Sequence, residues 1–117
     1  MIDMTTTINV GGVPVAFKAT GSTLRRYRDK FNRDLFEDFG TIVNGEISGE
    51  VMTLVQNFAY IMAKQADDNV PEDVEEWLDS FEAFPFNEVA PAVIKLWKMS
   101  NITSVEVKKP QSRRQGK

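Results

Sequence analysis

Hydrophobic residues recur along this chain with two periods. Thr5 to Val10 is β-branched and polar, and Val13 to Ala19 alternates, with Val13, Val15 and Phe17 on one face. Gly11-Gly12 separates the two runs, which is the pattern of a β-hairpin closed by a tight turn. Pro14 has no N–H to donate and suits an edge. A lone hairpin is not stable in water, so it must pack on helices.

After Gly21 the period becomes helical. Ser22 is the expected N-cap, and Leu24, Tyr27 and Phe31 follow at i, i+3 and i+7. Asn32 tolerates the left-handed conformation that ends a helix. Asp34 and Glu37 have capping-box spacing ahead of Leu35, Phe36, Phe39, Ile42 and Val43. One continuous helix from Thr23 to Val43 is the alternative, and Asn44-Gly45 stops either version. Ser48 is expected to cap a third helix with a stripe of Val51, Leu54, Val55, Phe58, Met62 and Ala66. Asp67-Asp68-Asn69 reads as a turn. Pro71 is expected at the first position of a fourth helix, with Glu72 and Asp73 at its positive dipole end. Val74, Trp77, Leu78 and Phe81 form its inner face.

Phe84-Pro85-Phe86 marks a break. Asn87 is the expected cap of a fifth helix that carries Val89, Val93, Leu96 and Trp97 and tolerates Pro91 near its start. Beyond Met99 the pattern dissolves. The predicted fold class is α+β, mainly α: an N-terminal β-hairpin over 5–19, then a small bundle of four or five short helices over about 23–98. Residues 1–99 form one domain, and 100–117 read as a basic, disordered tail.

Composition removes most chemistry. The chain has no cysteine and no histidine, so it lacks a thiolate ligand, a thiol nucleophile and the commonest general base. No spacing favours a lysine as base, and the carboxylates between Asp67 and Glu88 read as a solvated face. Asp67, Asp68, Asn69 and Asp73 lack the spacing, the glycine and the distal glutamate of a calcium loop. Gly11-Gly12 lacks the Gly-Lys-Ser/Thr of a phosphate loop. No catalytic residue, metal ligand or cofactor site is assigned, and the expectation is a protein that is not an enzyme. No secretory leader and no apolar run of membrane-spanning length is seen, which points to a cytoplasmic chain.

Charge is uneven along the chain. The net is −3, but every charged residue from Asp67 to Glu88 is acidic. Arg25, Arg26, Arg28, Lys30 and Arg33 form an early basic cluster, and after Glu106 every charged residue is basic. Tyr27 and Phe31 interleave with the arginines, a combination found in nucleic-acid binders. Their helical spacing with Leu24 favours core, with the arginines outside. Through Val105 nine basic residues face sixteen acidic ones, a formal −7 that disfavours nucleic acid. Trp77 and Trp97 sit on apolar stripes, where core packing competes with a role as partner anchors.

Several stretches taken in order carry a resemblance. The hairpin from Ile8 to Thr20, with its Phe17-Lys18-Ala19 element, leads into Leu24-Arg25-Arg26-Tyr27-Arg28-Asp29-Lys30-Phe31-Asn32-Arg33-Asp34-Leu35-Phe36. Asn57 to Asp67, Val70-Pro71-Glu72-Asp73-Val74-Glu75-Glu76-Trp77-Leu78-Asp79-Ser80-Phe81 and Leu96-Trp97 come next. Together, over residues 8–98, they resemble the tail assembly chaperones of long-tailed phages and prophages of Gram-positive bacteria. Asn32 stands where that family often has glycine, and both adopt the left-handed turn. Gln65 stands where it often has histidine, so no structural or pH-sensitive role is expected there.

The resemblance implies an assembly factor absent from the finished virion, acting in the cytoplasm of the bacterial host. Its partners would be the tape measure protein, which it keeps soluble, and the tail tube protein, recruited through a frameshift-extended form. Lys108-Lys109 fits an A-rich slippery run, which the nucleotide sequence tests. The expected client groove is lined by Phe58, Ile61, Met62, Trp77, Phe81 and Trp97, with Arg25, Arg26 and Arg28 as a further partner surface. Weak self-association through the basic and acidic helices is also expected. The alternative is a small nucleic-acid-binding regulator that uses the Arg25–Arg33 helix and the basic tail.

Overall fold

The two periods become a hairpin followed by five helices. A computed structural model describes residues 5–108, with side-chain surroundings for residues 5–100. The order is β1 (Thr5–Val10), β2 (Val13–Lys18), α1 (Thr23–Phe31), α2 (Leu35–Asn44), α3 (Gly49–Ala66), α4 (Val74–Asp79) and α5 (Phe86–Lys108). The fold is thus α+β and mainly α.

β1 and β2 pair antiparallel, with Val10 opposite Val13 and Thr5 opposite Lys18. Gly11 and Gly12 have φ of 57° and 90°, the backbone a two-residue hairpin turn demands. Asn9 steadies the turn by accepting the Gly12 N–H at 2.8 Å. Val10, Val15 and Phe17 are buried, whereas Val13, expected on the same face, is exposed at the turn. The inner face of the hairpin lies on α3 and α5.

α1 and α2 are separate helices. Asn32 adopts the left-handed conformation, φ 57° and ψ 42°, and donates its N–H to the Arg28 carbonyl. Ser22 sits at the N-cap of α1, but its side chain caps nothing. Thr23 does the local work instead, its Oγ1 accepting the Thr20 N–H at 2.9 Å. Asp34 caps α2 by accepting the Phe36 N–H at 3.0 Å, without a reciprocal box from Glu37.

Ser48 caps α3, as predicted, by accepting the Val51 N–H at 3.2 Å. This helix is the centre of the fold. β2, α1, α2, α4 and α5 all pack on it. Phe58 to Ala63 are therefore buried at six consecutive positions, where the periodicity predicts a single stripe.

Three boundaries differ from expectation. α4 begins at Val74, capped by Asp73, and not at Pro71. The Pro71 carbonyl accepts the Tyr60 hydroxyl at 2.6 Å and the Val70 carbonyl accepts Lys64 Nζ at 2.6 Å, so this backbone is held on α3 instead of entering a helix. α5 begins at Phe86, and Asn87 is not its cap. The Pro85 carbonyl takes the Glu88 and Val89 N–H groups at 2.9 and 3.0 Å. Last, α5 continues past Met99 to Lys108, so residues 101–108 are helical where a disordered tail is expected. No glycine or proline interrupts that stretch before Pro110, which disfavours helix at the residue before it. The rest of the expected tail, 109–117, lies outside the described residues, and so does Lys109 of the slippery-run pair.

Candidate partner-binding surface

The anchors predicted for a client groove are mostly core. Phe58, Ile61, Met62, Trp77 and Trp97 are buried, and Phe81 is half-buried. They also fall into two groups. Phe58 meets Trp97 at a ring separation of 6.0 Å, and Phe36 and Phe39 close on the same indole at 5.9 and 6.3 Å. Trp77 stacks edge-on with Tyr60 at 5.7 Å and with Phe81 at 5.1 Å. In this conformation the six do not line one open groove. The physical reason is the enclosure of α3, which draws its aromatic side chains into packing on every side.

The open apolar surface lies elsewhere. It runs along the outer face of α2, over the loop 45–48, and onto the first half of α5. Phe36, Val43 and Ile47 are 60%, 44% and 68% exposed. Between α2 and α5 a groove of about 300 Å³ has Ile42 and Val51 on one side and Phe86, Ala90 and Ile94 on the other. Ile47 and Gly45 line it too. Gly45 ends α2 so close to α3 that a Cβ there would meet the Thr41 carbonyl at 2.6 Å and Val51 Cγ2 at 3.3 Å. Ile47 lies between that tight turn and the Ser48 cap and stays exposed. Glu46, Glu50 and Glu88 are exposed neighbours of these lining residues.

A polar lock behind α2 fixes one wall of the groove. Tyr27 donates to Asp38 Oδ2 at 2.7 Å. Arg33 grips the same carboxylate with two bonds, Nε to Oδ2 at 2.7 Å and Nη2 to Oδ1 at 2.8 Å. Asp38 is 1% exposed. The Arg33 hydrogen bonds hold its carboxyl below the usual carboxylate range, with Tyr27 adding to the effect and burial opposing it. Burial, then the bond to Asp38, pushes the Tyr27 phenol well up. With Leu35, Asp38 and Ile42 turned inward, Phe36 and Val43 are left outside.

Gln65 is a correction. It donates to the Lys18 carbonyl at 2.7 Å and to Thr23 Oγ1 at 3.0 Å, and it accepts from Thr20 and Thr23 hydroxyls at 3.3 Å. Its role is structural, tying the exit of the hairpin and the start of α1 to α3.

Arg25, Arg26 and Arg28 stand exposed on α1. Part of the expected basic–acidic pairing is made inside the chain. Lys30 donates to the Glu72 carbonyl and lies 5.6 Å from the Tyr60 ring centre. Lys64 pairs with the Glu72 carboxylate at 3.0 Å and also donates to the Asp68 carbonyl at 3.1 Å.

Sequence reasoning missed the groove residues Ile47, Phe86 and Ile94. The one signal for them was Ile47 itself, a large aliphatic residue isolated between Glu46 and Ser48 in a loop. Among the described residues no helix is long and apolar enough to cross a membrane, and no group of three or more Asp or Glu side chains is placed to hold a metal ion. No protein-family model matches this chain, and neither a curated protein nor a solved structure is significantly similar to it.

Proposed function

We propose that this chain is a phage tail assembly chaperone. In this reading it is a non-enzymatic adaptor of the bacterial host cytoplasm, absent from the mature virion. It binds the tape measure protein, keeps it soluble, and through a frameshift-extended form helps recruit tail tube subunits. The ordered resemblance over residues 8–98 motivates the reading. The observation that carries it is the apolar groove between α2 and α5 with Ile47 exposed at its rim.

A tape measure protein is a long helical chain whose apolar stripes are exposed until the tube encloses them, and exposed stripes aggregate. An adaptor without a nucleotide cycle acts only by binding and release, so a shallow surface of modest affinity suits it. Many copies along one client then act by avidity. Weak contacts between copies, from the exposed arginines of α1 to the acidic segment of a neighbour, would assist.

Co-expression with the tape measure protein of the same gene cluster tests the proposal. The expected result is a soluble client that co-purifies with the chain at moderate salt. An insoluble client, with the chain instead retaining nucleic acid that salt releases, would favour the regulator built on Arg25, Arg26 and Arg28.

A further inference from the structure

We infer that the groove between α2 and α5 is a docking site for an amphipathic helix of a partner protein, one whose apolar stripe is flanked by lysine or arginine. The inference rests on the adaptor reading and gives it a site and a partner chemistry.

The chain's own C-terminal sequence does not have the chemistry of an occupant: apart from Pro110, residues 109–117 are polar, charged or glycine, with no side chain that an apolar groove would take.

Charge narrows the occupant further. Glu46 and Glu50 flank the lining residues Gly45, Ile47 and Val51, and Glu88 follows Asn87 on the opposite wall. Two basic residues, Lys95 beside Ile94 and Lys98 one helical turn beyond it, oppose these three glutamates, so acidic charge still predominates near the lining. A helix with an acidic flank would be repelled at this rim, and one with a basic flank is drawn to it. The i, i+3, i+7 anchors of such a helix fit a groove set between two helices.

The test uses the full chain and two synthetic peptides of about 18 residues with one leucine stripe at helical spacing. One peptide has lysine flanks and the other glutamate flanks. Fluorescence anisotropy should show the lysine peptide bound at least about tenfold more tightly. Ile47→Asp should weaken that binding about tenfold or more without moving the thermal midpoint, because Ile47 is a surface residue. Reversing the rim with Glu46→Lys, Glu50→Lys and Glu88→Lys should transfer the preference to the glutamate peptide. Equal binding of the two peptides, or binding indifferent to Ile47→Asp, overturns the inference. So does concentration-dependent dimerisation abolished by Ile47→Asp, which would make a second copy the occupant. If the tape measure protein stays soluble with the Ile47→Asp chain, the groove inference fails while the chaperone reading stands. Peptide binding with an insoluble client has the reverse meaning.

Discussion

Tyr27 donates its phenolic hydrogen to Asp38 across the junction of α1 and α2, at 2.7 Å and with both side chains buried. The helices meet at a left-handed Asn32, and this bond and the Arg33 fork beside it tie them together across that turn. Tyr27→Phe should destabilise the fold by about 1.5 kcal/mol, the value of a hydrogen bond to a charged acceptor. Asp38→Ala should cost more, about 3 kcal/mol, because it strands a buried hydroxyl and leaves a cavity. Urea unfolding measures both, and the double variant should fall short of the sum because the two share one interaction.

The same lock predicts the shape of the pH profile. The Asp38 carboxyl titrates below its usual 3.8, so at acid pH the unfolded chain takes up a proton that the folded chain refuses. Its contribution is complete above that value and is lost as pH falls below it. The Tyr27 phenol titrates above its usual 10.0, so its contribution is complete below 10.0 and is lost as pH rises beyond. With no histidine or cysteine side chain in between, the thermal midpoint should be flat from about pH 5 to about pH 9. Asp38→Asn should blunt the acid limb. Tyr27→Phe should reduce the alkaline limb without abolishing it, since Tyr60 is also raised, by burial and then by Glu72 and Asp73.

The two turn glycines should respond unequally. At Gly11 a Cβ would overlap the Ala83 carbonyl as well as force an unfavourable φ, whereas at Gly12 it meets open space. Gly12→Ala should cost about 1 kcal/mol, the strain of a left-handed backbone. Gly11→Ala should cost clearly more, because backbone on backbone cannot relax by rotamer change. Paired thermal melts decide it.

How much of the fold and the site was legible depends on what each signal encodes. Period and turn chemistry are local, and they yielded the hairpin, the Ser48 cap and the centre of α3; the break at Asn32 was readable too, but only beside the alternative of one continuous helix. Enclosure is not local. The spacing of Phe58, Met62 and Trp97 marks an apolar face but does not say whether a helix of this chain or of a client covers it, and here the chain covers it itself. Asp38 reads as one more surface carboxylate until Tyr27 and Arg33 are seen to converge on it. The start of α4 was missed because two α3 side chains, Tyr60 and Lys64, take the carbonyls that a helix beginning at Pro71 would need.

Gln65 offers a prediction that the sequence alone argued against. Gln65→Leu keeps the size of the side chain but leaves the Lys18 carbonyl and the Thr20 and Thr23 hydroxyls without it. A loss of about 1 to 2 kcal/mol is expected from these part-buried groups. Amide exchange should place the loosening at the exit of the hairpin and the first turn of α1, not in α5.

The exposed arginines separate the two functional readings. Replacing Arg25, Arg26 and Arg28 together by glutamine removes charge from a solvated helix face and should change stability by no more than about 0.5 kcal/mol. If the client docks between α2 and α5, the triple variant should still keep the co-expressed tape measure protein soluble, with no loss at low salt, because a docking helix with basic flanks is not drawn to these arginines. A nucleic-acid regulator would behave differently, losing its retained nucleic acid and most of the salt dependence of its binding. Loss of client solubility at unchanged stability would instead move the binding surface onto α1.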